Sequence, residues 1–372
     1  MKSFGPLSRA VDEHGGNIYR AAEEHGLSMD EIFDFSASIN PLGVPESVIS
    51  AITAESRFLN NYPDPDAERL RLEITKHYDI NPETIICGNG STELIYLVVR
   101  ALRPGKILIP APTFSEYGRA VLVYINSSVP GSSHCRPSIL NFQLTVENNF
   151  EIDADRFITA MEHCDMAFLC NPNNPTGGML KKDEIMKIAD AARELKCLLV
   201  VDEAFIDFSP MNSLVDEVAR NPYLIVLRSL TKFYALSGLR IGFAVAPLKL
   251  AGIMKDRKEP WTVNTLAQAA GVAALNDNAY MDRTFEVVAD GKKMLEDGFR
   301  RLGITCFPSP VNFYLIRLNN APEALFSLRD KGILVRDCSN FIGLDGSYIR
   351  VAVKSGRDNT RLLGELERLC GA

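Results

Sequence analysis

A series of short apolar runs between Ile85 and Ala246, alternating with helical patterns, constrains this chain more than any other feature. The runs are Ile85–Cys87, Lys106–Ile109, Met166–Cys170, Cys197–Val201, Tyr223–Leu227 and Gly242–Ala246. They are too short for core helices and apolar but for Lys106, as strands buried on both faces are. Between them lie amphipathic patterns at Glu93–Leu102, from Glu116 onward, and at Lys182–Leu195. Strand–helix alternation of this kind predicts a mostly parallel sheet with helices on both faces. Such sheets hold ligands beyond the carboxyl ends of their strands. Candidate site residues are therefore sought in the turns that end these runs.

Ile85–Cys87 leads into Gly88-Asn89-Gly90-Ser91-Thr92 and then a helix. That arrangement binds phosphate through free N–H groups at the helix start. It is neither a Walker loop nor G-x-G-x-x-G, and Ser91 serves equally as an N-cap. Phe114 stands at the next strand-to-helix turn, either in the core or flat against a planar cofactor. Met166–Cys170 ends in Asn171-Pro172-Asn173-Asn174-Pro175-Thr176-Gly177-Gly178. The prolines constrain that loop and set Asn174 to aim an N–H at a ligand oxygen. Asp202 closes Cys197–Val201. A carboxylate at the end of an apolar strand is costly unless paired. It is read as the counter-ion of a protonated ring nitrogen in preference to a helix N-cap. Past Tyr223–Leu227 comes Arg228-Ser229-Leu230-Thr231-Lys232-Phe233. Crowded by Arg228 and Phe233, the Lys232 amine is expected to lose its proton readily. A neutral lysine there can form a Schiff base with an aldehyde cofactor. Arg240 keeps its charge and suits that cofactor's phosphate.

The flanking segments add further candidates. Gly16–Glu24 has helical spacing, preceded by His14-Gly15-Gly16, which is either an anion-binding helix start or a flexible turn. Asn40 precedes Pro41, so its backbone is extended and its amide can face a site. Tyr62 lies in the turn Asn61–Asp64, as a packing or a ligand-contacting tyrosine. A helix is expected from Asp66 to His77, and no element is assigned between Ser127 and Glu151. After Ala246 come helical patterns at Leu248–Asp256 and Leu266–Leu302. Strands at Asn312–Ile316, Ile333–Val335 and Tyr348–Val351 and a helix at Gly356–Cys370 complete the chain. This tail reads as a smaller α+β domain. Within it, Arg336 and Arg350 lie in strand patterns and suggest a clamp on a carboxylate or phosphate. We place a large α/β domain at residues 46–256 and a smaller one built from 1–45 and 257–372.

Composition sets the outer limits. The 372 residues are 46% hydrophobic and 23% charged, as in a soluble protein with a sizeable core. A net charge of −7 argues against nucleic acid or an anionic membrane as the main partner. No stretch is apolar enough to span a membrane, and Met1–Pro6 lacks the apolar core of a signal peptide. The eight cysteines form no C-x-x-C pair, and His134-Cys135 and His163-Cys164 are poorly arranged for ligation. A cytoplasmic protein without a metal is expected.

Asn-Pro-Thr-Gly at Asn174–Gly177, Asp-Glu-Ala-Phe at Asp202–Phe205, Ser-Leu-Thr-Lys at Ser229–Lys232 and Gly-Leu-Arg-Ile-Gly at Gly238–Gly242 occur in one order. That order resembles the fold type I pyridoxal-phosphate enzymes over nearly the whole chain. The resemblance implies that Lys232 carries pyridoxal 5'-phosphate, Asp202 pairs with its ring nitrogen, Asn174 bonds the ring hydroxyl oxygen and Phe114 stacks on the ring. Phe205 would border the same cofactor. Gly90, Ser91, Thr92, Ser229 and Arg240 would hold the phosphate. Tyr62 would reach it from the partner subunit of a homodimer. Two branches compete. Histidinol-phosphate aminotransferases look similar through the central motifs, but usually carry tyrosine where Phe205 stands and Asn-Glu-Asn-Pro where this chain has Ser38-Ile39-Asn40-Pro41. Threonine-phosphate decarboxylases of the cobalamin pathway are more similar. They share His14-Gly15-Gly16, Ile39–Gly43, Asp202–Phe208 and Leu227–Ala235, with Ser38 departing from a more usual asparagine. By that resemblance His14, Gly15 and Asn40 meet the substrate's phosphate, and Arg336, Arg350 and Asn174 meet its amino-acid end. The reaction implied is decarboxylation of O-phospho-L-threonine or O-phospho-L-serine.

Overall fold

The structure, a computed structural model, describes residues 14–127 and 137–370. The expectations for Met1–Pro6 and for His134-Cys135 fall outside the described residues. After a helix at Ile18–His25, the short strand β1 (Phe33–Asp34) leads towards the central sheet. That sheet comprises β2 (Ile85–Gly88), β3 (Lys106–Ala111), β4 (Ser138–Gln143), β5 (Met166–Cys170), β6 (Leu198–Asp202), β7 (Leu224–Ser229) and β8 (Gly242–Val245). Its order is β2-β8-β7-β6-β5-β3-β4. Strands β4, β3, β5, β6 and β7 run parallel, while β8 is antiparallel to both β7 and β2.

Successive residues of a strand face opposite sides. Leu199, Val201 and Val226 therefore join the core on one face of the sheet, and Val200, Ile225 and Leu227 the core on the other. Strands β5 to β8 are buried at every position, which is why they read as continuous apolar runs. The helix Gly90–Leu102 packs in the second core through Leu94, Ile95 and Val98. Helix Lys182–Leu195 packs in the first through Ile185, Ile188 and Ala192.

Elements missed in the sequence have physical explanations. The unassigned segment contains β4, an edge strand with mostly exposed or half-exposed residues, so neither a buried run nor a clean alternation marks it. A helix at Glu46–Glu55 buries Val48 while leaving Ile49 45% exposed, which blurs its apolar stripe. The long Leu266–Leu302 pattern is two helices, Thr265–Leu275 and Asn278–Arg301. They divide where the Asp277 side chain accepts the Tyr280 N–H as an N-cap.

A second, antiparallel sheet has the order β12-β13-β10-β9, with β9 at Thr305–Cys306, β10 at Phe313–Arg317, β12 at Arg336–Asp337 and β13 at Tyr348–Ala352. Strand β11 (Ile333–Leu334) pairs with β1 instead, in parallel. A core of Phe35, Leu295, Phe299, Tyr314, Ile349 and Leu362 lies beneath. The chain after β1 is fixed to this unit by the bond from Ala352 N–H to Phe35 O, 2.9 Å. Asp34 Oδ1 then accepts from Ser36 N, Ser36 Oγ and Ala37 N. These bonds turn the segment toward the ends of the central strands. Among the described residues no helix is long and apolar enough to cross a membrane, and no cluster of His, Cys, Asp and Glu is placed to hold a metal ion.

Candidate active site

The parallel strands β5, β6 and β7 end side by side, and their last residues and following turns build the site. Asp202, the last residue of β6, is 2% exposed. Its Oδ2 accepts the Tyr117 hydroxyl at 2.8 Å and its Oδ1 the Ala204 N–H at 3.0 Å. Burial pushes its carboxyl up to about 6, against the opposing influence of those two hydrogen bonds and of Lys232. Lys232, in the turn after β7, has its amine 5.9 Å from the centre of the Phe205 ring. Phe205 itself is buried edge-on against Phe313. Burial, followed by repulsion from Arg350 and Arg240, lowers the Lys232 amine to about 8. About a tenth of the amine is thus neutral at pH 7, far more than for an ordinary lysine, and a neutral amine is the form that acts as a nucleophile.

The cause of that shift differs from the one expected. Arg228 does not crowd Lys232, because strand alternation sends its side chain to the opposite face from Ser229. There it is buried with Glu203 at 3.2 Å and with Asp207, and it donates to Tyr78 Oη at 2.9 Å and Ser213 Oγ at 3.0 Å. The repelling cations come instead from Arg350, on the second sheet, and Arg240.

A cradle for an anion lies at the start of helix Gly90–Leu102. Asn89 occupies the N-cap position without a side-chain cap bond, so the first N–H groups, at Gly90, Ser91 and Thr92, are left for another acceptor. Gly90 has φ +77°, and a Cβ there would lie 2.5 Å from Arg240 Nη2. Only glycine lets that guanidinium approach so closely. The Ser229 and Thr231 hydroxyls are 2.6 Å apart. The ring of Phe114 is half-buried, 5.7 Å edge-on from Tyr117 and 5.8 Å from His14.

The second sheet contributes its arginines. Arg336 and Arg350 are cross-strand partners on β12 and β13, and both are buried. Arg350 donates to Asn174 Oδ1, and at 2.8 Å to Ser36 O. Burial above all lowers Arg350, to about 10, which leaves it charged at neutral pH. Arg336 donates to Asn340 at 2.9 Å. A crevice of about 910 Å³ is lined by His14, Gly15, Ser36 and Arg336 among others. Gly15 packs so tightly on Ser36 that a Cβ would fall 2.6 Å from Ser36 O. His14 Nε2 lies 2.9 Å from Glu116 Oε1, whose carboxylate also takes the Tyr96 hydroxyl at 2.7 Å.

Two predicted residues stand apart. Tyr62 is 81% exposed and stacks on Trp261 at 5.0 Å. Asn40 directs its amide to Phe233 O at 2.6 Å and Thr284 Oγ1 at 2.7 Å, and its N–H to Lys232 O at 3.1 Å. Its side chain secures the Lys232 turn. Sequence reading missed Tyr117, Ser36 and the Glu203–Arg228–Asp207 cluster. Tyr117 is the one with a readable signal, since it lies one helical turn beyond Phe114.

Comparison with known proteins agrees with this geometry. The profile described as "Aminotransferase class I and II" matches residues 30–369. The chain belongs to the class I and II aminotransferase family. It is 37% identical to the threonine-phosphate decarboxylase of Salmonella typhimurium, over 96% of each chain. The crystal structure of the histidinol-phosphate aminotransferase from Clostridium acetobutylicum superposes with a TM-score of 0.83 at 31% identity, covering 91% of this chain and 98% of that one. That of L-threonine-O-3-phosphate decarboxylase from Porphyromonas gingivalis gives 0.78 at 25% identity, covering 91% and 99%. This class I and II family member is an enzyme, and its cofactor is pyridoxal 5'-phosphate. The donor set fits that group: a buried carboxylate for the ring nitrogen, a lysine of lowered basicity for the aldehyde, and an open helix start with Arg240 for the phosphate.

Proposed function

We propose that this enzyme is a lyase that decarboxylates O-phospho-L-threonine or O-phospho-L-serine. The products are carbon dioxide and aminopropanol phosphate or ethanolamine phosphate, used in corrinoid synthesis. The observation that carries this reading is the gathering of anion-binding groups from two directions. Arg336, cross-strand from Arg350, shares one crevice with the His14–Gly15 segment. A substrate with a carboxylate at one end and a phosphate at the other matches that arrangement. The Salmonella relative's name supports it.

Pyridoxal phosphate supplies an electron-accepting ring that stabilises negative charge on a substrate's α-carbon. The chain's residues supply the rest. Asp202 holds the proton on the ring nitrogen, Asn174 bonds the ring hydroxyl oxygen, and Phe114 and Phe205 border the ring. Gly90, Ser91, Thr92, Ser229 and Arg240 bind the cofactor phosphate. Arg350 and Arg336 orient the substrate carboxylate, while His14 and Gly15 serve the phosphate end and Asn40 holds the Lys232 turn. With both ends anchored, rotation about the bond between Cα and the amine nitrogen is restricted, and that orientation selects the bond that breaks. Lys232 returns a proton to Cα. We read residues 46–256 as the cofactor domain, 1–45 with 257–372 as the domain of the substrate groups, and Tyr62 as reaching the partner's site in a cytoplasmic homodimer.

The test is product analysis with O-phospho-L-threonine, with and without a keto acid. Carbon dioxide and aminopropanol phosphate formed without a keto acid are expected. Likeness to the Clostridium enzyme supports a second reading, an aminotransferase acting on histidinol phosphate. Keto-acid-dependent amino transfer from histidinol phosphate, with no carbon dioxide from phosphothreonine, would establish that reading instead.

A further inference from the structure

Tyr117 sits in the first turn of helix Glu116–Ser127, just beyond β3, and is fully buried. Its ring stacks on Phe168 at 4.8 Å with an interplanar angle of 11°. Packing alone would account for a phenylalanine there. The hydroxyl, however, is aimed at Asp202 Oδ2 at 2.8 Å. We infer that Tyr117 is a positioning residue for Asp202: its O–H keeps the carboxylate ionised and oriented toward the cofactor's ring nitrogen. The inference rests on the reading of Asp202 as the ring-nitrogen partner.

The chemistry follows from what surrounds the carboxylate. The groups facing Asp202 are Tyr117, the Ala204 N–H, Lys232 and Cys170, its cross-strand neighbour. Cys170 is held neutral, its thiol pushed up to about 12 by burial, and it donates to Pro172 O at 3.3 Å. The Tyr117 phenol is pushed well above its usual range by burial, so it stays an O–H donor. A neutral donor hydrogen-bonded to a carboxylate favours the ionised form, whereas burial favours the protonated one. Removing the hydroxyl while keeping the ring leaves burial less opposed, and Asp202 takes up its proton at higher pH. One hydrogen bond to a charged group amounts to a shift of about one pH unit.

The experiment measures pyridoxal phosphate binding to apoenzyme, by fluorescence quenching between pH 5 and 8.5, for wild type, Tyr117→Phe and Phe168→Leu. The ratio of variant to wild-type Kd cancels the cofactor's own titrations. With a wild-type midpoint about 6, the Tyr117→Phe ratio is expected near unity at pH 8.5, rising to roughly tenfold at pH 5. Phe168→Leu removes the stacking partner and keeps the hydroxyl, so its ratio should not vary with pH. A Tyr117→Phe ratio that is the same at every pH would reduce the tyrosine to a packing residue and overturn the inference. The same pH-dependent rise in Phe168→Leu would do so too. A different failure is separable: Asp202→Asn binding the cofactor as tightly as wild type at every pH would overturn the reading of Asp202, and the inference with it.

Discussion

Gly90→Ala is the substitution whose consequence the geometry states most sharply. Gly90 has φ +77°, and its new Cβ would lie 2.5 Å from Arg240 Nη2 and 3.1 Å from Cζ. Comfortable non-bonded contact begins near about 3.5 Å, so the guanidinium must retreat by about 1 Å. Two costs separate. Alanine in the left-handed region destabilises the folded apoenzyme by about 1–2 kcal/mol. A displaced Arg240 weakens a charge-assisted bond to the cofactor phosphate, about 1.5–3 kcal/mol. That corresponds to roughly ten- to hundredfold in affinity at about 1.4 kcal/mol per factor of ten. Chemical denaturation of apoenzyme reads the first cost, and pyridoxal phosphate titration reads the second. Arg240→Ala and the double variant complete a cycle. If the arginine is what the methyl group displaces, Gly90→Ala made in the Arg240→Ala background loses stability as before but little further affinity. Additive affinity losses would refute the reasoning and leave Gly90 as a turn residue only.

Other outcomes follow from the same geometry. Apoenzyme should take up pyridoxal phosphate with a pH midpoint near the Lys232 value of about 8, because the neutral amine reacts. Burial and then Arg350 and Arg240 hold it below 10.5, so Arg350→Met should move the midpoint upward; an unmoved midpoint in stopped-flow absorbance would contradict this. The unfolded chain keeps that lysine proton to higher pH than the folded one, so apoenzyme stability should gain from this group as pH rises from about 8 to 10.5. Arg228→Met strands Glu203 and Asp207, which are buried with it. A loss of about 3–5 kcal/mol is expected, measured by urea denaturation and largely regained in Arg228→Met/Glu203→Gln/Asp207→Asn. Mixing inactive Lys232→Ala and Tyr62→Ala protomers should restore about a quarter of wild-type activity, since half the dimers of an equal, randomly reassorted mixture are mixed and each of these carries one intact shared site of two. No recovery would separate Tyr62 from the partner's site. In Lys232→Ala alone, the visible band of lysine-bound cofactor should vanish.

The strand ends were legible because burial on both faces leaves an unmistakable apolar run. Polar residues that interrupt such runs, Asp202 above all, have few roles open to them. The places of Lys232, Asn174 and Arg240 were readable for the same reason, in constrained turns beyond buried strands. What surrounds them was not. Arg228 looked like a cation beside Lys232 and Arg350 like a cation in a strand, yet the first is neutralised behind the sheet and the second repels Lys232 from a different sheet. Nothing local distinguishes them, since the difference lies in which long-range partner each face meets. Asn40 likewise looked open to a ligand until Phe233 and Thr284 were found to hold it.

The sequence by itself determined the class of the central sheet, the positions of its turns and the chemical kinds of residue those turns hold. Periodicity and burial are local properties, carried by consecutive side chains. Only the tertiary structure decided the basicity of Lys232, the partnership of Tyr117 with Asp202 and the meeting of Gly90 with Arg240. Each of these depends on groups far apart in the chain. Electrostatic and steric effects act over a few ångströms of space, whatever the distance along the backbone.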